Sequence, residues 1–238
     1  ADGGTIVMNA GIYRQGHVGS SRSLTIQAAP HAEVWLKGSR VVDSWVQDGA
    51  NWVSSGWAPE FCNTCTVNPD SSKEGMAAYP AQVFIDEEPM TQVASQAEVS
   101  SGKFYIDTVA KKIVIGSNPT GKTIEASDSP RGLTVATSGS FNLLGINFAQ
   151  YSPQQAFAKS GQPYNVGPSQ IYIDSVSSSL IENSVIVQSA NGGIAFGSSN
   201  NVTIKNTNFY DNGGGALAIN QSSNIVITDN KFERGNAA

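Results

Sequence analysis

Val202-Thr-Ile-Lys-Asn-Thr-Asn-Phe209 and Ile225-Val-Ile-Thr-Asp-Asn-Lys-Phe232 carry the same apolar pattern at an offset of 23 residues. Each apolar position of the first segment has an apolar residue at the matching position of the second. The pattern extends backwards as well, because Ile181 and Ile186 occupy the matching positions one period earlier. A period of this length, with single apolar residues between Ser, Asn, Thr and Gly, is typical of a stacked solenoid.

Each repeat is long enough for three short strands. Apolar and polar residues alternate up to Asn206, where the alternation shifts phase, as expected when one strand turns a corner into another. A third apolar pair follows, at Ile194 with Phe196 and again at Leu217 with Ile219. The sequence therefore predicts an all-β solenoid with three short strands per coil of about 23 residues.

The bend between the first two strands carries Asn183, Asn206 and Asp229 at successive periods. Asn and Asp tolerate left-handed backbone geometry and can hydrogen-bond to nearby backbone groups. We therefore interpret this column as structural and not as part of an active site.

An inserted loop interrupts the repeat before Ile171. Leu143 and Phe148 fit the first two apolar columns and Ile171 fits the third, but 15 more residues separate them than in the later coils. The loop, from about residue 150 to 170, must leave the stack between the second and third strands.

The periodic pattern is absent between residues 43 and 127. Trp45, Trp52 and Trp57 lie there, followed by runs typical of β-hairpins, which predicts an inserted aromatic-rich β subdomain. Residues 1–42 and 128–238 are then the solenoid coils on either side. The aromatic residues could form a carbohydrate platform or fill a small core, and filling a core is the more common role.

The inserted subdomain also contains the two cysteines of the chain, Cys62 and Cys65. A local disulfide in a secreted loop is the favoured interpretation, and free thiols or half of a metal site are the alternatives. A closed zinc site within the chain is disfavoured, because His17 and His31 lie far upstream without metal-ligand spacing.

The composition limits the classes of molecule that the protein is expected to bind. Charged residues make up 14% of the chain, and the net charge of -5 is spread without a basic block. This distribution argues against nucleic acid or an anionic membrane as the main partner. No segment approaches the roughly 18 continuous apolar residues of a membrane-spanning helix. A neutral, hydroxyl-rich ligand remains compatible with the composition.

The segment Asn201-Val-Thr-Ile-Lys-Asn-Thr-Asn-Phe-Tyr-Asp-Asn-Gly-Gly-Gly215 closely resembles the repeat of right-handed parallel β-helix proteins of the pectate-lyase-like class. The resemblance covers residues 133–236 strongly and the opening, with Gly11-Ile-Tyr-Arg14, moderately. It implies a right-handed parallel β-helix and a secreted bacterial type of protein. Residues 43–127 resemble an insertion of secreted β-helix proteins that act on polysaccharides.

The motifs of particular enzymes within this class are missing. The chain contains no Asp-Asp pair, and the Gly-His-Gly and Arg-Ile-Lys signatures of polygalacturonases are absent. Gly11-Ile-Tyr-Arg14 is similar to the start of pectin esterases, but their aspartate-bearing motifs do not follow. The resemblance therefore implies a carbohydrate-active class without naming a reaction.

Stacking turns sequence offset into spatial proximity, because residues one period apart lie about 4.8 Å apart on successive coils. Two neighbouring outward columns place acidic, basic and aromatic side chains beside the loop at 150–170. The predicted catalytic residues are Asp211, Glu233 and Arg234, and the predicted substrate-binding residues are Tyr151, Tyr210, Gln188 and Lys159.

Two kinds of chemistry suit these columns. Two carboxylates could serve as acid and base in glycoside hydrolysis, or could bind calcium while a basic residue abstracts a proton in β-elimination. Calcium is the one candidate cofactor. The alternative is structural, with Asp211 paired with Arg234 and Glu182 paired with Lys205 as surface ion pairs.

We predict a secreted or cell-surface carbohydrate-active protein that binds and cleaves a polysaccharide or oligosaccharide, as a glycoside hydrolase or polysaccharide lyase. The alternative is a non-catalytic surface, scaffold or assembly module. The repeat reaches the end of the sequence without an evident cap, so we also expect further coils from a longer chain or from another chain.

Overall fold

The computed structural model describes residues 2–14, 16–61, 76, 79–153 and 169–235. The chain divides into two compact units, one of residues Ala1–Gly38 with Ser129–Ala238 and one of residues Ser39–Asp128. We call the first the β-helix unit and the second the inserted unit. Within the described residues, no helix is both long and apolar enough to cross a membrane.

The β-helix unit consists of three parallel sheets, which we number in the order that the chain visits them. The strands of sheet 1 are Gly4–Met8, Leu24–Ala28, Ser140–Leu144, Ser178–Glu182, Asn200–Lys205 and Ser223–Thr228. The strands of sheet 2 are Gly11–Arg14, Val34–Lys37, Ile146–Ala149, Val185–Val187, Asn208–Tyr210 and Lys231–Glu233. The strands of sheet 3 are Val18–Ser20, Leu133–Ala136, Ser169–Asp174, Gly192–Gly197 and Leu217–Asn220.

Strand pairing follows the predicted period. Ile181 pairs with Ile204, which pairs with Ile227, so neighbouring strands of sheet 1 are in register at 23 residues. Leu143 pairs with Ile181, at an offset of 38 that equals one period plus the 15-residue insertion. The prediction of an all-β parallel solenoid with three strands per coil is confirmed.

The core of the β-helix unit is built from the alternate, inward-facing residues of all three sheets. Ile204 of sheet 1, Phe209 of sheet 2 and Phe196 of sheet 3 are each at most 1% exposed and belong to one apolar cluster. Exposure rises in the first and last coils, where Ile6 and Phe232 are about half exposed. Burial in the middle coils is therefore what stabilises the stack.

The corner between sheets 1 and 2 is made by left-handed residues. Gly145, Asn183, Asn206 and Asp229 have φ of 69°, 54°, 49° and 55°. Asn and Asp are among the residues that enter this region most readily, and Gly does so without steric cost. The prediction of left-handed geometry in this column is confirmed, and the corner turns within one or two residues.

The inserted unit has two sheets and a 3-10 turn at Gln96–Glu98. One sheet contains Glu88–Pro89, Val83–Ile85, Ile124–Ser127 and Ser39–Val41. The other contains Thr91–Gln92, Lys103–Asp107, Lys112–Ile115, Asn51–Ser55 and Val46–Asp48.

The predicted tryptophan cluster helps to form the core of the inserted unit. Trp45, Trp52 and Trp57 are partly buried and pack against an apolar cluster that includes Phe104. The Arg40 guanidinium carbon lies 3.4 Å from the centroid of the Trp57 ring, in a cation–π contact. These contacts fit the core-filling role, and the predicted disulfide cysteines lie outside the described residues.

Candidate functional site

The predicted site columns stack as expected at the end of sheet 2. Tyr210 pairs with Glu233, and Gln188, Asp211 and Arg234 follow the strands of successive coils with φ of 52°, 53° and 45°. Gln150, one coil earlier, has φ of 64° and donates a hydrogen bond from Nε2 to Gln188 Oε1 at 3.2 Å. A repeated left-handed residue therefore ends each strand of this column.

Asp211 and Arg234 form a two-pronged ion pair. Arg234 Nε and Nη2 donate to the two Asp211 carboxylate oxygens at 2.6 and 2.9 Å. The guanidinium carbon also lies 5.8 Å from the centroid of the Tyr210 ring. The hydrogen bond and charge of Asp211 raise the pKa of Arg234. Both charges are therefore already engaged within the protein.

The remaining carboxylates of this region are paired as well. Glu233 lies 2.9 Å from Lys231, and Glu182 lies 3.0 Å from Lys205. The pairs of Asp211 with Arg234 and of Glu182 with Lys205 are those that the structural interpretation predicts. Asp211, Glu233 and Arg234 stay predictions as catalytic residues, and a substrate would have to compete with their ion pairs.

Tyr151 does not belong to an exposed site. It is 0% exposed and packs in the core, with its ring centroid 6.2 Å from that of Phe148, and burial raises the pKa of its phenol. A Cβ at Gly38 would lie only 2.3 Å from the Tyr151 ring. The burial of the ring supports a structural role, and substrate binding by Tyr151 stays a prediction. Lys159, the other predicted binding residue beside it, lies outside the described residues.

The outer face of sheet 3 carries a group of polar and aromatic side chains that the sequence analysis missed. Ile171 and Ile173 point into the core, so the alternation of a strand directs Tyr172 and Asp174 outward. Thr134 pairs with Tyr172 in the neighbouring strand and also points outward. We define this surface, the outer face of sheet 3, by His17, Arg131, Thr134, Tyr172 and Asp174.

Arg131 and Tyr172 are in contact on this face. The guanidinium carbon lies 5.6 Å from the centroid of the Tyr172 ring, and Arg131 Nε donates to the Ser169 carbonyl oxygen at 3.1 Å. Partial burial lowers the pKa of Arg131, although a guanidinium remains protonated at neutral pH. The ring is therefore positioned by a fixed cation.

Asp174 and Tyr172 lean together over a glycine of the next coil. A Cβ at Gly197 would lie 2.6 Å from Asp174 Oδ1 and 2.9 Å from the Tyr172 hydroxyl oxygen. Ser175 donates a hydrogen bond to Asp174 Oδ2 at 3.1 Å. Next to Gly197 on the same face lies Ala195, another small residue. The carboxylate and the phenol thus cover Gly197, and Ala195 is 0% exposed.

His17 extends the group toward the first coil. Its Nε2 lies 2.8 Å from Thr134 Oγ1, and its side chain is exposed. His17 is 117 residues from Thr134 in sequence. The sequence did contain a signal for this face, because polar residues alternate with Ile171 and Ile173. The contact of His17 with Thr134 could not be read from the repeat, because the inserted unit separates the first coils from the later ones in sequence.

Potential metal ligands are sparse among the defining residues of the outer face of sheet 3. Within the part of the chain that the structure describes, no group of three or more His, Cys, Asp or Glu side chains is placed to hold a metal ion. Calcium normally takes six to eight oxygen ligands, including carboxylates. The outer face of sheet 3 offers only the Asp174 carboxylate among its defining residues.

The comparisons with known proteins agree on the fold. A family model described as "Right handed beta helix region" matches residues 159–238. A search of curated proteins found no match. A solved structure described as "Glycoside hydrolase" is similar with a TM-score of 0.60 and 12% identity, over 90% of this chain and 60% of that chain.

A second solved structure, "The complex structure of XylC with xylose", has a TM-score of 0.55 and 12% identity. The match covers 99% of this chain and 57% of that chain, so this chain spans less than two thirds of both structures. At such low identity the likeness concerns the fold alone. Together with the stacked parallel sheets, these matches establish that this chain is a right-handed parallel β-helix protein.

Proposed function

We propose that this protein is a carbohydrate-active β-helix protein that binds polysaccharide on the outer face of sheet 3. The observation that carries the proposal is the group formed there by Arg131, Tyr172 and Asp174 above the small residues Ala195 and Gly197. This surface offers an aromatic ring, a cation and a carboxylate, each of them partly exposed.

The physical chemistry of a sugar ring suits this group. Aromatic side chains combine a large apolar surface with polar edges, and a sugar presents hydroxyl groups together with C–H faces. A carboxylate accepts hydrogen bonds from hydroxyl groups, and a guanidinium donates several in a fixed plane. Because the strands of sheet 3 are parallel, an extended saccharide can cross successive coils.

Cleavage of the bound polysaccharide is the finer part of the proposal. Glycoside hydrolysis generally needs two carboxyl groups on either side of the scissile bond. Asp174 would supply one carboxyl group on the outer face of sheet 3, whereas the earlier candidates Asp211 and Glu233 are held in ion pairs. The descriptions of the two similar structures, which name a glycoside hydrolase and xylose, favour a sugar substrate. A polysaccharide substrate also favours a secreted or cell-surface location.

Matched variants can locate the site. Binding is measured by affinity electrophoresis against xylan, cellulose derivatives and polygalacturonate, and cleavage by reducing ends and by absorbance of unsaturated products. We expect Tyr172→Ala and Asp174→Asn to weaken binding at least tenfold, about 1.4 kcal/mol. Tyr210→Ala and Asp211→Asn should leave binding nearly unchanged. These two controls make the same changes of residue type as the two sheet 3 variants.

The opposite pattern would move the site. If Asp211→Asn or Glu233→Gln abolished turnover while Asp174→Asn did not, the columns at the end of sheet 2 would be catalytic and the proposal for sheet 3 would be rejected. If no glycan bound and none was cleaved, the chain would be a scaffold or assembly module. Thermal unfolding of each variant checks that the fold is retained.

A further inference from the structure

The second coil turns the corner between sheets 1 and 2 differently from the coil stacked on it. In the third coil a single residue, Gly145, joins the two strands, whereas the second coil uses five residues, 29–33. Where the longer corner meets the shorter one, the surface contains an open cavity of about 560 Å³. We call it the corner notch. It lies entirely within the β-helix unit and has the volume of a small-molecule site.

A tight turn forms one wall of the corner notch. Ala32 donates its backbone N–H to the Ala29 carbonyl oxygen at 2.9 Å, Pro30 follows Ala29, and His31 has φ of 61°. Proline at the second position and a positive φ at the third are features of a type II turn, whose third residue is usually Gly. The turn therefore holds the backbone of His31 in the left-handed region, at one wall of the notch.

Hydrogen bonds fix two polar groups at the notch. Trp35 donates its indole N–H to Glu33 Oε1 at 2.8 Å, which holds the carboxylate at the rim. Asn147 Oδ1 accepts the Val185 backbone N–H at 2.9 Å, so its amide orientation is set and Nδ2 is the group left to donate. Because these polar groups are already fixed, little further side-chain entropy is lost when a ligand binds to them.

The rest of the lining combines amides with methyl groups. Gln27 and Asn183 add two further amides, and Ala28, Ala29 and Ala32 supply an apolar surface. Gly145 allows the close approach of the two corners, because a Cβ there would lie 3.3 Å from the Ala28 Cβ. The notch thus offers donors and acceptors around a small apolar patch.

The chemistry of the lining selects a class of ligand. Its one carboxylate is Glu33, too few acidic oxygens for calcium, and the described lining contains no Lys or Arg to attract a phosphate or an acidic sugar. Several amides, an imidazole and a carboxylate beside methyl groups complement a neutral ring with many hydroxyls. A neutral sugar unit fits this description.

We propose that the corner notch is a second saccharide-binding site, separate from the outer face of sheet 3. It takes a sugar unit of a neutral glycan, with Glu33 accepting hydroxyl hydrogen bonds, Asn147 donating one, and His31 closing the wall. The proposal goes beyond the function proposed above, because it requires neither binding at sheet 3 nor cleavage.

The histidines make the two sites separately observable. The chain contains 2 histidines, His31 at the corner notch and His17 on the outer face of sheet 3. Imidazole carbon–proton resonances of the full chain are recorded during titration with trisaccharides of xylose, glucose, mannose, arabinose and galactose. We expect at least one trisaccharide to shift the His31 resonances in a saturable manner.

Two variants test whether the shift reports binding in the notch. Ala29→Trp fills the notch and should abolish the saturable shift of His31, whereas Ala110→Trp, at an exposed alanine of the inserted unit, should not. Glu33→Ala removes an exposed side chain and should weaken the binding about tenfold, the loss expected for a hydrogen bond to a charged group.

Each result distinguishes the two proposals. If no trisaccharide shifts His31, or if the shift persists unchanged in both Ala29→Trp and Glu33→Ala, the notch proposal is rejected. Shifts of His17 alone would then leave the proposal for sheet 3 standing. Shifts of His31 alone, abolished by Ala29→Trp, would support the notch and count against saccharide binding at sheet 3.

Discussion

Tyr151 and Tyr172 are the same residue type near the two ends of the inserted loop, yet they differ in burial. Tyr151 is fully buried against Phe148, whereas Tyr172 is partly exposed beside Arg131. The difference follows from the direction in which the backbone points each side chain, which neighbouring residues alone do not reveal at the start of a long loop. The role of an aromatic residue here depends on burial and not on its proximity to a candidate site.

Unfolding experiments should separate the buried tyrosine from the exposed candidates. Tyr151→Ala should lower the free energy of unfolding by about 3–5 kcal/mol, because it leaves a cavity where a large aromatic ring was packed. Tyr210→Ala, a partly exposed residue, should cost about 1 kcal/mol or less. Urea unfolding followed by circular dichroism gives both values, and equal losses would contradict the burial of Tyr151.

The short corner of one or two residues is the element that makes the stack compact. Gly145, Asn183, Asn206 and Asp229 turn the chain from sheet 1 to sheet 2 in the left-handed region. Where the second coil uses a longer corner instead, the surface opens into the corner notch. The short corner therefore keeps most coils regular, and the longer corner of the second coil creates a candidate binding site.

Substitutions at Asn206 should measure the cost of the left-handed corner. Asn206 is exposed and has φ of 49°, so the backbone conformation dominates its contribution. Asn206→Ala should destabilise the protein by about 1 kcal/mol, whereas Asn206→Gly should be nearly neutral. Thermal unfolding of the two variants provides the comparison. An Ala variant as stable as the Gly variant would argue against a left-handed residue at this corner.

At the scale of the whole molecule, the β-helix unit is a stack in which each coil pairs only with its neighbours. Phe209 pairs with Ile186 on one side and Phe232 on the other, and its ring lies parallel to that of Phe232 at 4.9 Å between centroids. Stability in such a stack is a sum of terms within coils and between neighbouring coils. A local change should therefore have a local effect.

Hydrogen exchange can test this behaviour. Phe209→Ala removes a side chain that is 1% exposed and should cost about 3–5 kcal/mol. We expect amide protection to fall most in Ser178–Glu182, Asn200–Lys205 and Ser223–Thr228, and least in Leu24–Ala28. Exchange measured by mass spectrometry resolves these segments. Uniform loss of protection would show that the unit unfolds as one cooperative body.

The inserted unit shows where sequence reasoning is weaker. The tryptophans allowed two interpretations, a carbohydrate platform or a small core, because aromatic composition is compatible with both. The structure packs Trp45, Trp52 and Trp57 against buried residues such as Phe104. Contacts between strands that are distant in sequence decide such cases, and an aperiodic segment carries no signal for them.

The sequence by itself determined the architecture of this protein, because a 23-residue period makes every apolar column and every strand register readable. It also predicted the ion pair of Asp211 with Arg234, since residues one period apart must be neighbours. Only the tertiary structure placed His17 against Thr134, 117 residues away, and only it opened the corner notch. The physical reason is that both features depend on departures from the period. The inserted unit separates His17 from Thr134 in sequence and the longer corner opens the notch, and a fixed sequence offset predicts neither arrangement.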